Sequence, residues 1–222
     1  DPSRILSFAD SFTLYDQSDD PTTATLIRER YPATRFVDNP GHSLRNFLTW
    51  LWENYDDLPE TVALLKGNTL ERHMSEDYFT RVVDNHHYTF LYEDAAYLWV
   101  PGVSSLLYES AFLERNDSWY ADSRPHRYFA TLNQLIDFLY VDPTHPEWVL
   151  FAPGACYLLP RANITKNPRD LYLALSHISA YSHFPAEAYM VERILHMVFS
   201  SNAVVNPCLS RWDDAAAQLD RL

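Results

Sequence analysis

A chain of 222 residues, 47% of them hydrophobic, is long enough to bury a full core, and residues 1–222 read as one domain. A net charge of −13 excludes a nucleic-acid backbone as the main partner, since that affinity comes from Lys and Arg neutralising phosphates; a nucleotide in a local pocket is not excluded. No run approaches the roughly 20 apolar residues of a membrane span, no signal peptide is visible at the start, and two Cys in no CxxC or metal spacing are compatible with a reducing cytoplasmic compartment.

In chain order, residues 3–9 favour a short helix with Ser3 as a cap. Residues 11–15 read as a strand, 16–21 as a polar loop, 22–31 as a helix and 34–38 as the next strand. Asn39-Pro40-Gly41 is a turn signal, because Pro fixes one dihedral and Gly permits the next. Leu44, Phe47, Leu48, Leu51 and Tyr55 then recur at helical spacing, and Pro59 stops the helix. Residues 61–65 are a brief apolar run, read as a buried strand, and Gly67-Asn68 closes the unit with a second turn. Strand, helix and strand together suggest parallel strands joined by a right-handed crossover.

Residues 85–128 read as an irregular insertion over the sheet edge, with short strands or helical turns at Leu98-Trp99-Val100 and Leu106-Leu107-Tyr108. A helix is expected over 131–140 and strands over 148–151 and 155–159, interrupted by Pro153-Gly154. Asn167 is placed to cap a helix that has Pro168 at its first position and runs to about residue 180. Pro185 opens the last strong helix, through 199, and 202–222 is a tail ending in a helical turn or two. The expected fold class is α/β, a mostly parallel sheet flanked by helices. In such sheets ligands sit where strands end in loops, which points to Asn39, Gly41, His42 and Ser43 at one loop and Lys66, Gly67 and Asn68 at the next. A helix start facing the first loop offers free N–H groups to an anion; the residues alone favour reading both loops as ordinary turns.

Asn39, Gly41, Asn54-Tyr55-Asp56, Leu58-Pro59 and Leu65-Lys66-Gly67 carry a resemblance. The chain resembles an uncharacterised protein family with a pattern like N-x-G-x-E…NYD-x-LP…FLQG, departing from it at Ser43 (Glu in the pattern) and Lys66 (Gln). A second match runs from Phe151-Ala152-Pro153-Gly154-Ala155 to Glu192-Arg193-Ile194-Leu195-His196, similar to G-A-x-F-x-V…ERLW. The family is distantly similar to nucleotide-sugar glycosyltransferases of the GT-A fold, which is Rossmann-like. The resemblance places residues 11–15 at that family's second strand, so a first strand is expected before residue 1. It implies transfer of a sugar from a nucleotide-sugar donor of UDP or GDP type to a hydroxyl of a glycan acceptor. Tyr15, Asp16, Asn39, Gly41, His42, Ser43 and Arg45 would hold the nucleotide, with Lys66, Asn68 and His73 near the diphosphate.

A divalent cation, Mn or Mg, commonly serves such donors through an Asp-x-Asp motif, and none occurs in this sequence. Asn68 stands at the expected place, and an amide is a weaker ligand than a carboxylate for a hard cation; Lys66 and Arg72 are placed to neutralise phosphate directly. Glu192 and His196 are four apart on one helix face. If buried, Glu192 would have a raised pKa suited to a general base for the acceptor hydroxyl, with Gly154 and His196 on the acceptor side. A structural network of Glu192 with Arg193 or His196 is the competing account. Two other functions fit the same residues: a non-catalytic carbohydrate-binding or scaffold domain, and a hydrolase using Asp77 or Glu76 with Glu192.

Overall fold

The computed structural model describes residues 3–93, 105–108 and 111–222, with the backbone alone at 71 and 105–108. Helix α1 (Ser3–Leu6) is a single turn and strand β1 (Tyr15–Asp16) two residues. Asp20 caps α2 (Pro21–Arg30) by accepting from the amides of Thr22 and Thr23, with Pro21 in the first turn, where a missing N–H costs nothing. Strand β2 (Arg35–Phe36) leads into α3 (His42–Glu53), which buries Leu44, Leu48 and Leu51. Strand β3 (Thr61–Leu64), the short helices α4 (Thr69–Arg72) and α5 (Glu76–Val82), and β4 (Thr89–Phe90) follow. Next come β5 (Ser105–Tyr108), β6 (Ala111–Arg115) and a 3-10 turn at Trp119–Asp122. A reciprocal capping box between Thr131 and Gln134 opens α6 (Leu132–Leu139). Strands β7 (Trp148–Phe151) and β8 (Tyr157–Pro160) flank the Pro153-Gly154 turn. The helices α7 (Arg161–Thr165), α8 (Arg169–Ile178), α9 (Ala186–Ser200) and α10 (Trp212–Leu219) complete the described chain.

The expected Rossmann-like, mostly parallel sheet is not what forms. Among the described residues the strands make three small sheets: β1-β2, β3-β8-β4 and β5-β6-β7. Only the two-residue pair β1-β2 is parallel. Strand β8 runs antiparallel to both neighbours, Val62 facing Leu159 and Thr89 facing Leu158, and β6 runs antiparallel to β5 and β7. The supposed crossover therefore joins strands of different sheets, β2 and β3. The physical reason is that a short apolar run such as Thr61–Leu64 looks alike in either kind of sheet, and its direction is decided by a partner almost a hundred residues later. Strand β8 is buried on both faces. Tyr157 and Leu159 face the main core and Cys156 and Leu158 a smaller one with Met74, Phe79 and Leu91, as the period of two requires.

Asn167 does not cap α8; Pro168 holds that position, and the Asn167 amide crosses to donate to the Val198 carbonyl at 2.8 Å. The expectation at Leu98-Trp99-Val100 lies outside the described residues. No helix among the described residues is long and apolar enough to cross a membrane. Helices α3 and α8 pack against each other, tied by the Thr49 and Ser176 hydroxyls at 2.9 Å. Fully buried side chains such as Leu51, Leu175 and Ile194 each contribute about 1.5–3 kcal/mol by leaving water.

Candidate functional site

The loop after β3 is closed by one buried hydroxyl. Thr69 Oγ1 accepts from the Lys66 amide at 2.8 Å and donates to the Lys66 carbonyl at 2.7 Å. This turn fixes the start of α4 and leaves Asn68 exposed at its cap position, its side chain making no cap hydrogen bond. One turn later the chain reaches His73, whose side chain is buried and whose carbonyl accepts from the Glu93 amide.

Opposite stands the turn between β7 and β8. Gly154 (φ +85) and Ala155 (φ +58) both take left-handed backbone, which Gly adopts freely and Ala only under constraint. A Cβ on Gly154 would lie 2.9 Å from His73 Nε2, so the two segments touch where a side chain is missing. The Gly154 amide donates to Glu192 Oε1 at 2.7 Å, tying the turn to α9. Glu192 Oε2 accepts from Arg193 at 3.1 Å, and Arg193 Nε donates to Glu114 Oε2 at 2.7 Å. The Glu192 side chain is 21% exposed, whereas Arg193 and Glu114 are buried.

Close to Lys66 lies the start of α3. Gly41 (φ +69) gives its amide to the His183 carbonyl at 3.1 Å, and a Cβ there would meet the Ser179 carbonyl at 2.5 Å. The His42 ring packs edge-on to Phe184, centroids 4.3 Å apart, and the His42 carbonyl accepts from Gln17 at 3.0 Å. Burial holds the His42 imidazole below its ordinary value, helped by the nearby charges of His183 and Lys66. Burial pushes the Cys156 thiol up, and it feels Lys66 and Glu192 with opposite sign. Lys66 thus acts electrostatically on both His42 and Cys156, and His73 touches the Gly154 turn that holds Glu192.

Other expected residues lie elsewhere. Tyr15 and Arg45 line a groove of about 460 Å³ together with Arg35, Asn46, Thr49 and Glu53, along the flank of α3 rather than its start. Arg35 bridges Tyr15 OH at 3.2 Å and Glu53 at 2.7 Å. Asp16 is buried beneath, accepting from the Ser18 amide at 2.9 Å. Asn39 and Ser43 are half-buried in the connection and the first turn of α3. His196 is turned to other company: Nδ1 meets Tyr88 OH at 3.0 Å, and its ring packs near Phe90, so its partners differ from those of Glu192. Glu76 pairs with Arg4 on the exposed start of α5, and Asp77 is exposed beside it. Among the described residues no three His, Cys, Asp or Glu side chains gather to hold a metal, and Lys66 stands where the Asp-x-Asp would be; these residues do not fit a cation held by the protein alone.

Two acids escaped the sequence reading. Glu114 shares Arg193 and accepts from Ser118 at 2.9 Å. Glu187 is wholly buried, Oε1 accepting from the amides of Arg127, Tyr128 and Phe129 and Oε2 from Tyr181 OH. A signal for Glu187 existed, since it shares helical spacing with Met190, Val191 and Ile194 and so had to face inward. Glu114 had none, its only relation to Arg193 being tertiary.

A family model described as a protein of unknown function (DUF3431) matches residues 14–211, and the chain belongs to that family. No curated protein and no solved structure matches it.

Proposed function

We propose that this member of the DUF3431 family moves a sugar from a nucleotide-sugar donor to a hydroxyl of a glycan acceptor. The reading draws on the motif resemblance to an uncharacterised family that is distantly similar to nucleotide-sugar glycosyltransferases, kept as likeness in chemistry and not in sheet topology. The observation that carries it is the convergence of two distant motifs: the segment from Lys66 to His73 meets the Gly154 turn, and that turn is tied to Glu192. In this reading Lys66 faces the donor diphosphate and neutralises it as it leaves. Glu192 takes the proton of the acceptor hydroxyl as the new oxygen–carbon bond forms and the sugar–phosphate bond breaks. Gly154 and Arg193 orient the carboxylate. The groove beside Tyr15 and Arg45 is large enough for a nucleoside.

A second reading, a carbohydrate-binding domain without catalysis, is favoured by one observation. Both Glu192 oxygens already accept hydrogen bonds, which leaves the group less free to take a proton. The test is a thermal-shift panel of UDP, GDP, CMP and dTDP, with and without manganese. A ligand at about 100 times its dissociation constant stabilises the fold by roughly 2.7 kcal/mol. A shift with one nucleotide, followed by sugar transfer that Glu192→Gln slows by about 10²–10⁴, supports the transferase; no shift with any nucleotide leaves the binding reading.

A further inference from the structure

We propose that the ring face of Trp119 and Tyr189 is a subsite for a neutral, extended glycan; as the acceptor's seat, it rests on the reading above. Trp119 is 54% exposed although its neighbour Tyr120 is fully buried. Its ring meets Tyr189 edge-on, centroids 4.9 Å apart; Tyr189 meets Phe184 at 4.4 Å, and Phe184 meets His42 at 4.3 Å. Four rings therefore run from the surface to the first turn of α3, past Glu192, which lies one helical turn after Tyr189 on α9.

The row is held from beneath. The Arg193 guanidinium sits 5.3 Å from the Trp119 ring, 5.7 Å from Tyr189, 4.4 Å from Tyr120 and 4.6 Å from Phe151, and it is pinned by Glu114. Rings already ordered in this way lose little freedom when a ligand lands on them. The chemistry selects the ligand. An aromatic face suits the C–H face of a pyranose, while the hydroxyl rim finds acceptors such as Glu192. Arg193 is neutralised by two carboxylates, Glu192 adds a partly exposed negative charge beside Tyr189, and the chain carries −13, which together disfavour a polyanion against the positive charges of His183 and Lys66 at the His42 end of the row. A row of four rings outruns a single sugar ring, so an oligosaccharide fits it better than a monosaccharide.

The experiment is calorimetry of the full chain with neutral hexasaccharides of β1,4-glucan, β1,3-glucan, α1,4-glucan and β1,4-mannan, with heparin hexasaccharide as the polyanion. At least one neutral hexasaccharide is expected to bind, and Trp119→Ala to weaken it about tenfold at unchanged melting temperature. No binding of any neutral hexasaccharide, equal binding by Trp119→Ala, or preference for heparin overturns the subsite. The nucleotide panel is scored separately. Glycan binding without any nucleotide shift keeps the subsite and removes the transferase; a nucleotide shift and transfer with acceptor KM unaltered by Trp119→Ala does the reverse.

Discussion

The His73 ring and Gly154 touch across 81 positions of sequence, so closely that a Cβ at 154 would stand 2.9 Å from Nε2 and 3.3 Å from two ring carbons. That contact joins the loop after β3 to the turn before β8. It also sets the height at which the Gly154 amide meets Glu192.

Replacing Gly154 by Ala therefore meets two obstacles, a φ of +85 that L residues rarely take and the imidazole in the way. The expected cost is about 1–3 kcal/mol, read as a fall in the urea midpoint. An unchanged midpoint would show that the turn and His73 separate freely. Because the turn also carries the amide on Glu192, ligand-induced stabilisation should fall in the same variant.

Arg193 and Glu114 form a buried ion pair at 2.7 Å. Arg193→Ala leaves Glu114 charged and unpaired in the core, a loss of about 3–5 kcal/mol. Glu114→Gln, which keeps shape and a hydrogen-bond acceptor, should cost less. The comparison is made by denaturant titration of both variants, and equal losses would refute the charge argument.

Histidine burial gives the fold a pH dependence. His196 is held below its ordinary value by burial first and by the Lys166 charge second, and His42 likewise by burial, His183 and Lys66. Between those lowered values and about 6.5, the unfolded chain binds protons that the folded one refuses. Stability contributed by these groups is thus complete above about pH 6.5. It is lost as pH falls toward their folded values and then levels off. Urea midpoints at steps between pH 7.5 and 5 should show the decline, and His196→Gln should make it shallower; a slope identical to that of the parent would remove His196 from the account.

Lys66 is half-buried, its backbone fixed by Thr69. Lys66→Ala should leave the melting temperature of the free protein nearly unchanged while reducing the stabilisation given by a nucleoside diphosphate. The matching nucleoside, which has no phosphate, should stabilise both proteins alike. Equal diphosphate response in the two would place the phosphates elsewhere.

Much of the local structure was legible. The apolar spacing of Leu44, Leu48 and Leu51 is the spacing of α3, and the run from Thr61 is β3, because helical and extended periods are properties of adjacent residues. The two motifs that contain Lys66 and Glu192 were both singled out, and the fold links the Lys66–His73 segment to the Glu192 helix through the Gly154 turn. His196 is different: a spacing of four puts it near Glu192 along the helix, yet its ring is drawn to Tyr88 and to Phe90 of β4.

The sequence by itself determined the course of the longer helices, which faces are apolar, the acidic balance that disfavours polyanions, and the turns at Gly41 and Gly154 where the backbone goes left-handed. Tertiary structure alone decided that β8 lies between β3 and β4 in antiparallel pairing, that His73 rests on Gly154, and that Glu114 reaches across to Arg193. The division has a plain physical reason. Dihedral preference and apolar period are encoded within a few residues, whereas strand direction and ion pairing depend on partners 93 to 99 positions away for β3 with β8, 67 to 69 for β4 with β8, and 79 for Glu114 with Arg193, which no local pattern specifies.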